Sequence, residues 1–144
     1  MIAVDTNILV YAYLPRLPQH QQARAALGRL TASGKPWAIP WPCVHEFIAV
    51  VTNKKWHADA PSTAQLVAHV EIWQQAPGLR MLGIGAEHWA HLRRLLELSG
   101  ANGGQVHDAR IVAVCSESGV TEIWTADRDF SRFPGIRIHN PLHH

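Results

Sequence analysis

Residues 1–14 read MIAVDTNILVYAYL, an apolar run with Asp5-Thr6-Asn7 set into it. An ionised carboxylate flanked in this way is partly desolvated, which is expensive unless it neutralises or finds a partner. Met1 to Val4 reads as a buried strand that ends at Asp5. Ile8 to Leu14 reads as a short helix or turn, stopped by Pro15 and Pro18. Strand, carboxylate and helix follow one another at once, so the fold depends on whether the rest of the chain repeats that alternation.

It does. From Gln19 to Leu30 the positions Ala23, Leu27 and Leu30 form a helical stripe, broken by Ser33-Gly34. Trp37-Ala38-Ile39 is a candidate strand closed by Pro40. Pro42 suits the first turn of a helix running to Val51, with Val44, Phe47, Ile48 and Val51 on its apolar face. Asn53 to Ala60 is a polar connection. Ser62 with Gln65 makes a capping-box pattern that starts a helix to Gln75, ended by Pro77-Gly78. Leu79 to Leu82 is a strand. Ala86 to Ser99 is a helix with Trp89, Leu92 and Leu96 aligned and Gly100 at its end. After the Gly-rich loop Ala101–Gln105, Val106 to Ser118 is helical. Glu122 to Thr125 and Ile136 to Ile138 are strands. Strands alternating with helices predict an α/β fold with a parallel sheet covered on both faces. In such sheets, sites form outside the carboxyl ends of the strands.

At 144 residues the chain is expected to be one domain. No apolar stretch reaches the roughly 18 residues that span a membrane. No leader-peptide pattern opens the chain, so it is expected in the cytoplasm. Cys43 and Cys115 lie in apolar helical context and read as buried thiols. His88 and His91 are three apart, but no further ligand pair has a recognised zinc spacing, and zinc is not expected. His143 and His144 are given no role. The net charge of +2 comes from 13 basic and 11 acidic residues. If four acids gather at one cation, 13 basic residues face 7 acidic ones elsewhere, and that surface attracts a polyanion. An ordinary soluble surface fits the same numbers.

The acids fall where the sheet rule puts a site. Asp5 follows the first strand, Asp127 follows EIWT, and Asp129 lies two residues on. Asp108 stands near the start of a helix that is apolar on nearly every face from Ala109 to Cys115, except at Arg110. That helix is expected to be deeply packed, with its positive amino end toward the same rim. Each acid alone also has a purely structural reading: Asp5 as an Asx turn, Asp108 as a first-turn helix acid, Asp127 and Asp129 as turn and N-cap residues. Together they point to one cluster. Like charges a few ångström apart repel by about 1–4 kcal/mol per pair in wet surroundings, so a cluster needs a counterion. Hard oxygen donors favour Mg²⁺, with Mn²⁺ able to substitute. Thr6 and Asn7 are placed to hydrogen-bond the remaining lone pairs of Asp5. Glu46 is different. It lies about 150° from the centre of its helix's apolar stripe, and periodicity alone makes it a solvated residue.

The segments VDTNILVYA, PCVHEFIAVVTN, HDARIVAVC and WTADRDFSRFPGIRIHNP together resemble the PIN domain, specifically the VapC-type toxin ribonucleases of bacterial type II toxin–antitoxin pairs. They occur in family order and span nearly the whole chain, so the resemblance covers residues 1–144 as a single PIN domain. It implies a three-layer α/β/α sandwich with a central parallel sheet. It implies a metal-dependent endoribonuclease that cuts single-stranded or looped RNA, such as tRNA or rRNA, and leaves a 5′ phosphate. It implies an acidic set of Asp5, Glu46, Asp108 and Asp127, with Asp129 an alternative or additional fourth acid. Asn7 and Thr125 become supporting polar residues. The implied partners are a second copy of the chain and a VapB-type antitoxin whose tail covers the site.

Arg110, Arg128 and Arg132 lie close in sequence to the acids and are candidates for phosphate contacts, or ordinary surface arginines. Lys54, Lys55 and Trp56 read as an RNA clamp or as a helix end with a packed Trp. Trp73 and Trp89 are expected in the core or an interface. Tyr11, Tyr13 and Leu14 are candidates for a partner surface or for the core. Two other functions compete: a magnesium phosphohydrolase acting on a small phosphoester, and a non-enzymatic RNA-binding or partner-sequestering module. The first would want a second aspartate where Thr6-Asn7 stands. The second would lack acids that are present here.

Overall fold

The computed structural model describes residues 1–142, so the reading of His143 and His144 lies outside the described residues. Eleven elements alternate as the sequence predicts. They are β1 (Ile2–Val4), α1 (Thr6–Tyr13), α2 (His20–Ala32), β2 (Trp37–Pro40), α3 (Trp41–Val51), α4 (Thr63–Gln75), β3 (Leu79–Leu82), α5 (His88–Ser99), α6 (Gln105–Glu117), β4 (Glu122–Trp124) and β5 (Arg137–His139). A 3₁₀ turn over Arg128–Arg132 follows β4.

All five strands are parallel, in the order β3-β2-β1-β4-β5. β1 sits at the centre, with Ile2 opposite Trp37 on one side and Glu122 on the other. The chain winds outward from β1 through β2 to β3, then crosses back to β4. Right-handed crossovers therefore put α1–α4 on one face and α5–α6 on the other, giving the three-layer α/β/α sandwich. The strand order reverses at the β1–β4 junction, where a crevice opens at the carboxyl ends.

Short strands of continuous apolar character form where both sheet faces are covered: Ala3, Val4, Ala38, Ile39 and Ile123 are fully buried. α6 buries Ala109 and every residue from Ile111 to Cys115, as its apolar faces predict. The Ser62–Gln65 capping box forms at α4, with Gln65 N–H donating to Ser62 Oγ at 3.2 Å and Ser62 N–H to Gln65 Oε1 at 2.8 Å. Gly100 takes φ +66° and closes α5. Trp73 packs on Phe47 at 4.9 Å between ring centroids, and Tyr13 meets Phe47 edge-on at 5.6 Å.

Two tryptophans are exposed, which leaves Trp89 outside the core and Trp56 unpacked. Trp89 is 64% exposed, because the buried line of α5 runs through Leu92, Leu95 and Leu96 and leaves Trp89 about 70° to one side. Trp56 is 76% exposed on the connection after α3, so it is not the packed Trp of a helix end. Both cysteines are free and buried. Among the described residues, no helix is long and apolar enough to cross a membrane.

Candidate active site

Asp5 leaves β1 and becomes the N-cap residue of α1, but its side chain makes no capping bond. It turns into the crevice between β1 and β4 instead. It is 5% exposed, and its carboxylate accepts from neutral donors. The Thr125 hydroxyl donates to Oδ2 at 2.7 Å, Asn7 Nδ2 to the same oxygen at 3.3 Å, and the Cys43 thiol to Oδ1 at 3.6 Å. Burial pushes the Asp5 carboxyl above its ordinary range. The hydrogen bonds from Thr125, the Thr6 N–H and Cys43 pull it back, while the Glu46 charge raises it.

Thr125 is the knot of this network. It is buried at the end of β4, and its oxygen also accepts from Asn7 Nδ2 at 3.1 Å and from the Asp127 N–H at 3.0 Å. Asn7 Oδ1 accepts from the Ala126 N–H at 3.1 Å. The start of α1 is thus stitched to the segment that carries Asp127. Thr6 serves Asp5 through its backbone N–H, and its hydroxyl donates to Glu46 Oε2 at 3.1 Å. Asn7 also serves Asp5, as read from the sequence.

Glu46 is exposed on α3, as periodicity requires, and still lies at the rim because α3 starts at the carboxyl end of β2 and packs on α1. Asp108 enters from the first turn of α6. Asp127 is the N-cap residue of the 3₁₀ turn, where its Oδ1 accepts from the Asp129 N–H at 2.9 Å. A cavity of about 250 Å³ has Asp5, Glu46, Asp108 and Asp127 in its wall, together with Thr6, Asn7, Val10, Tyr11 and Val50. Asp129 is exposed and outside that wall, but its charge still reaches Asp108. Burial first, then the charges of Asp127, Asp5, Glu46 and Asp129, push the Asp108 carboxyl up to about 6.

No lysine or arginine lines this cavity. Arg110 faces an adjoining one. Arg128 lines an adjoining groove that shares Asp127 with the acid cavity and also holds Thr125, Ser131 and Asn140, and Arg132 donates from Nε to the Asp129 carbonyl at 3.3 Å. Lys54 and Lys55 are on the exposed connection after α3, away from the acids. Tyr11 and Cys43 were not assigned to the site from sequence. Their signals were present in the helix spacing: Tyr11 is one turn after Asn7, and Cys43 three residues before Glu46.

The donor set suits a hard divalent cation. All four cavity acids offer oxygen, their mutual repulsion is visible at Asp108, and no basic side chain offsets it. Among the described residues, no three His, Cys, Asp or Glu side chains are drawn into a ready-made cation site. Neither thiol offers a nucleophile: burial pushes Cys43 and Cys115 well above their ordinary range.

The sequence pattern of the PIN domain matches residues 2–136. The chain belongs to the PIN domain family. Within it, the relatives are VapC ribonucleases. Ribonuclease VapC43 of Mycobacterium tuberculosis is 34% identical over 142 residues, covering 99% of this chain and 96% of its own. Solved structures share the fold. VapBC2 from Rickettsia felis, bound to a DNA fragment from its promoter, superposes with a TM-score of 0.70 at 21% identity, over 97% of this PIN domain and 98% of that chain. The sarcin–ricin-loop-cleaving toxin VapC20 of Mycobacterium tuberculosis gives 0.66 at 21% identity, over 95% and 99%.

Proposed function

We propose that this PIN domain is a Mg²⁺-dependent endoribonuclease, with Mn²⁺ able to substitute, that cuts single-stranded or looped RNA as the toxin of a toxin–antitoxin pair. The observation that carries this reading is the cavity that gathers Asp5, Glu46, Asp108 and Asp127 with no basic side chain among them. In this reading Asp5, Asp108 and Asp127 hold the cation, and Glu46 assists directly or through water. Asp127 is preferred to Asp129 because it is the one in the cavity wall. A divalent cation there supplies a lowered pKa for the attacking water and neutralises charge building on the phosphate.

The chain's own residues do the positioning. Thr125 and Asn7 fix the Asp5 carboxylate by hydrogen bonds to one oxygen, which leaves Oδ1 toward the weak Cys43 donor. Thr6 holds Glu46 in the same way. Val10, Tyr11 and Val50 give the cavity an apolar flank. With both thiols suppressed, hydrolysis by water is the reaction this site supports.

The VapC relatives support RNA as substrate, and the VapBC assemblies that share the fold support a VapB-type antitoxin as partner; a homodimer within the larger complex is part of the same proposal. We read residues 1–144 as one PIN domain acting in the cytoplasm. Purified protein is expected to cut RNA with Mg²⁺ or Mn²⁺ and to stop when EDTA is added. Asp108→Asn is expected to lower the rate at least a hundredfold with folding retained. Undiminished cleavage in EDTA, or by folded Asp108→Asn, would overturn the proposal.

A further inference from the structure

Beside the acid cavity lies a second one of about 440 Å³, which shares Glu46 and Asp108 as its near wall. The same cavity is lined by Arg110 and His107 of α6 and by His45 and Ala49 of α3. We propose that this cavity is a subsite for the RNA phosphate next to the one being cut, with Arg110 as its anchor.

Arg110 is half-buried on α6, two residues after Asp108. It forms no hydrogen bond or ion pair with any described residue, and its Nε is buried without a partner. An arginine that close to acids would ordinarily pair with one of them. Here the guanidinium is kept back from the acids, although it lies in the same cavity as Glu46 and Asp108. A half-buried guanidinium with unused donors is a poor solution for stability alone, because ordering it brings no compensating bond. It is a good solution for an external oxyanion, which it can grip with two parallel donors.

The neighbours extend that chemistry. His45 stacks on Trp41, with ring centroids 6.3 Å apart and planes 28° off parallel, so its ring has a fixed direction at the rim. His107 comes from the first turn of α6, whose amino end lies at the cavity. The planar guanidinium, with its donors unused, matches a phosphodiester oxygen pair, and the two imidazoles add donors at the same hollow. The cation held by the shared Glu46 and Asp108 would offset their charge toward the strand, which leaves the Arg110 guanidinium as the anchor in the second cavity.

This inference rests on the nuclease reading above, and the test separates the two. Binding of fluorescein-labelled octauridylate is measured by anisotropy against KCl, in Mg²⁺, with every protein carrying Asp5→Asn so that the strand survives. Adding Arg110→Gln is expected to weaken binding about tenfold. It is also expected to lower the slope of log affinity on log salt by about 0.7, the value for one phosphate contact on a single strand. Arg110→Lys restores the slope. Ala49→Phe, which fills the hollow from α3 and leaves Arg110 in place, weakens binding similarly and adds little to Arg110→Gln. Arg94→Gln, on the exposed side of α5, changes neither quantity. If folded Arg110→Gln and Ala49→Phe both bind with the original affinity and slope, the subsite is overturned. An effect confined to antitoxin binding overturns it equally and assigns the hollow to that partner. Failure of the wild-type protein to cut RNA in Mg²⁺ or Mn²⁺, with the Arg110 effect intact, removes the nuclease reading and leaves the phosphate subsite standing.

Discussion

Thr125 occupies one oxygen with three tasks: it donates to Asp5 and accepts from both Asn7 and the Asp127 N–H. Thr125→Val keeps the shape and removes all three bonds. Leaving a buried carboxylate and an N–H short of partners costs about 1–3 kcal/mol, measurable as a lower denaturant midpoint at unchanged slope. RNA cleavage is expected to fall at the same time, since the Asp5 carboxylate loses its shortest restraint. Asp108 titrates in the opposite sense from most surface acids. Its folded pKa of about 6 lies above the ordinary 3.8, so the folded chain binds that proton more readily than the unfolded one. Stability drawn from this group therefore rises as pH falls from about 6 toward 4, and is lost as pH climbs back through that window. In EDTA, the thermal midpoint of the wild type relative to Asp108→Asn is expected to be higher at pH 5 than at pH 7. Mg²⁺ is expected to raise the wild-type midpoint more at pH 7, where Asp108 has shed its proton. A midpoint difference that is flat across this range would contradict the shift.

Ser62 and Gln65 show what sequence alone conveys at the level of a helix. The capping box is local, needs only four residues, and forms where the pattern puts it. Ser62→Ala is expected to destabilise the protein by about 1 kcal/mol in chemical denaturation, with cleavage untouched. The inner strands β1 and β2 and the helix α6 are legible because continuous apolar runs are buried, whereas the edge strands β3 and β5 carry Arg80, Arg137 and His139. Glu46 is not legible, because its place depends on another helix. α3 exposes it, and among the described residues its hydrogen-bond partner at the rim is the Thr6 hydroxyl of α1. Thr6 shows both sides: its N–H serves the adjacent Asp5, while its hydroxyl reaches another helix, which adjacency in sequence does not convey. Trp89 shows how an apolar stripe misleads when neighbouring helices bury a line slightly rotated from it. The loop before α5 was equally opaque. There the Glu117 carboxylate of α6 accepts from Gly85 N–H at 3.1 Å and Glu87 N–H at 2.9 Å, and a Cβ on Gly85 would collide with it.

The sheet order explains why the acids meet at all. β1 is central, β2 and β4 flank it, and the reversal between them opens the crevice at the ends that carry Asp5 and Asp127. The alternation of strands and helices predicted the parallel sheet. The order in which the strands lie could not be read from periodicity, because it is set by the crossovers. As a toxin, the assembled protein is expected to slow bacterial growth when expressed alone and to be silenced by a co-expressed small partner. Growth curves with soluble protein confirmed by blot would check this, and unaltered growth would count against a toxin. The strand order also has a temporal side. Asp5 and Glu46 belong to the first third of the chain, Asp108 and Asp127 to the last, and Thr125 fastens one to the other. A nascent chain therefore emerges with the acid cavity unfinished until translation is almost over, because a chain that stops short of β4 lacks both Asp127 and the Thr125 hydroxyl that orders Asp5.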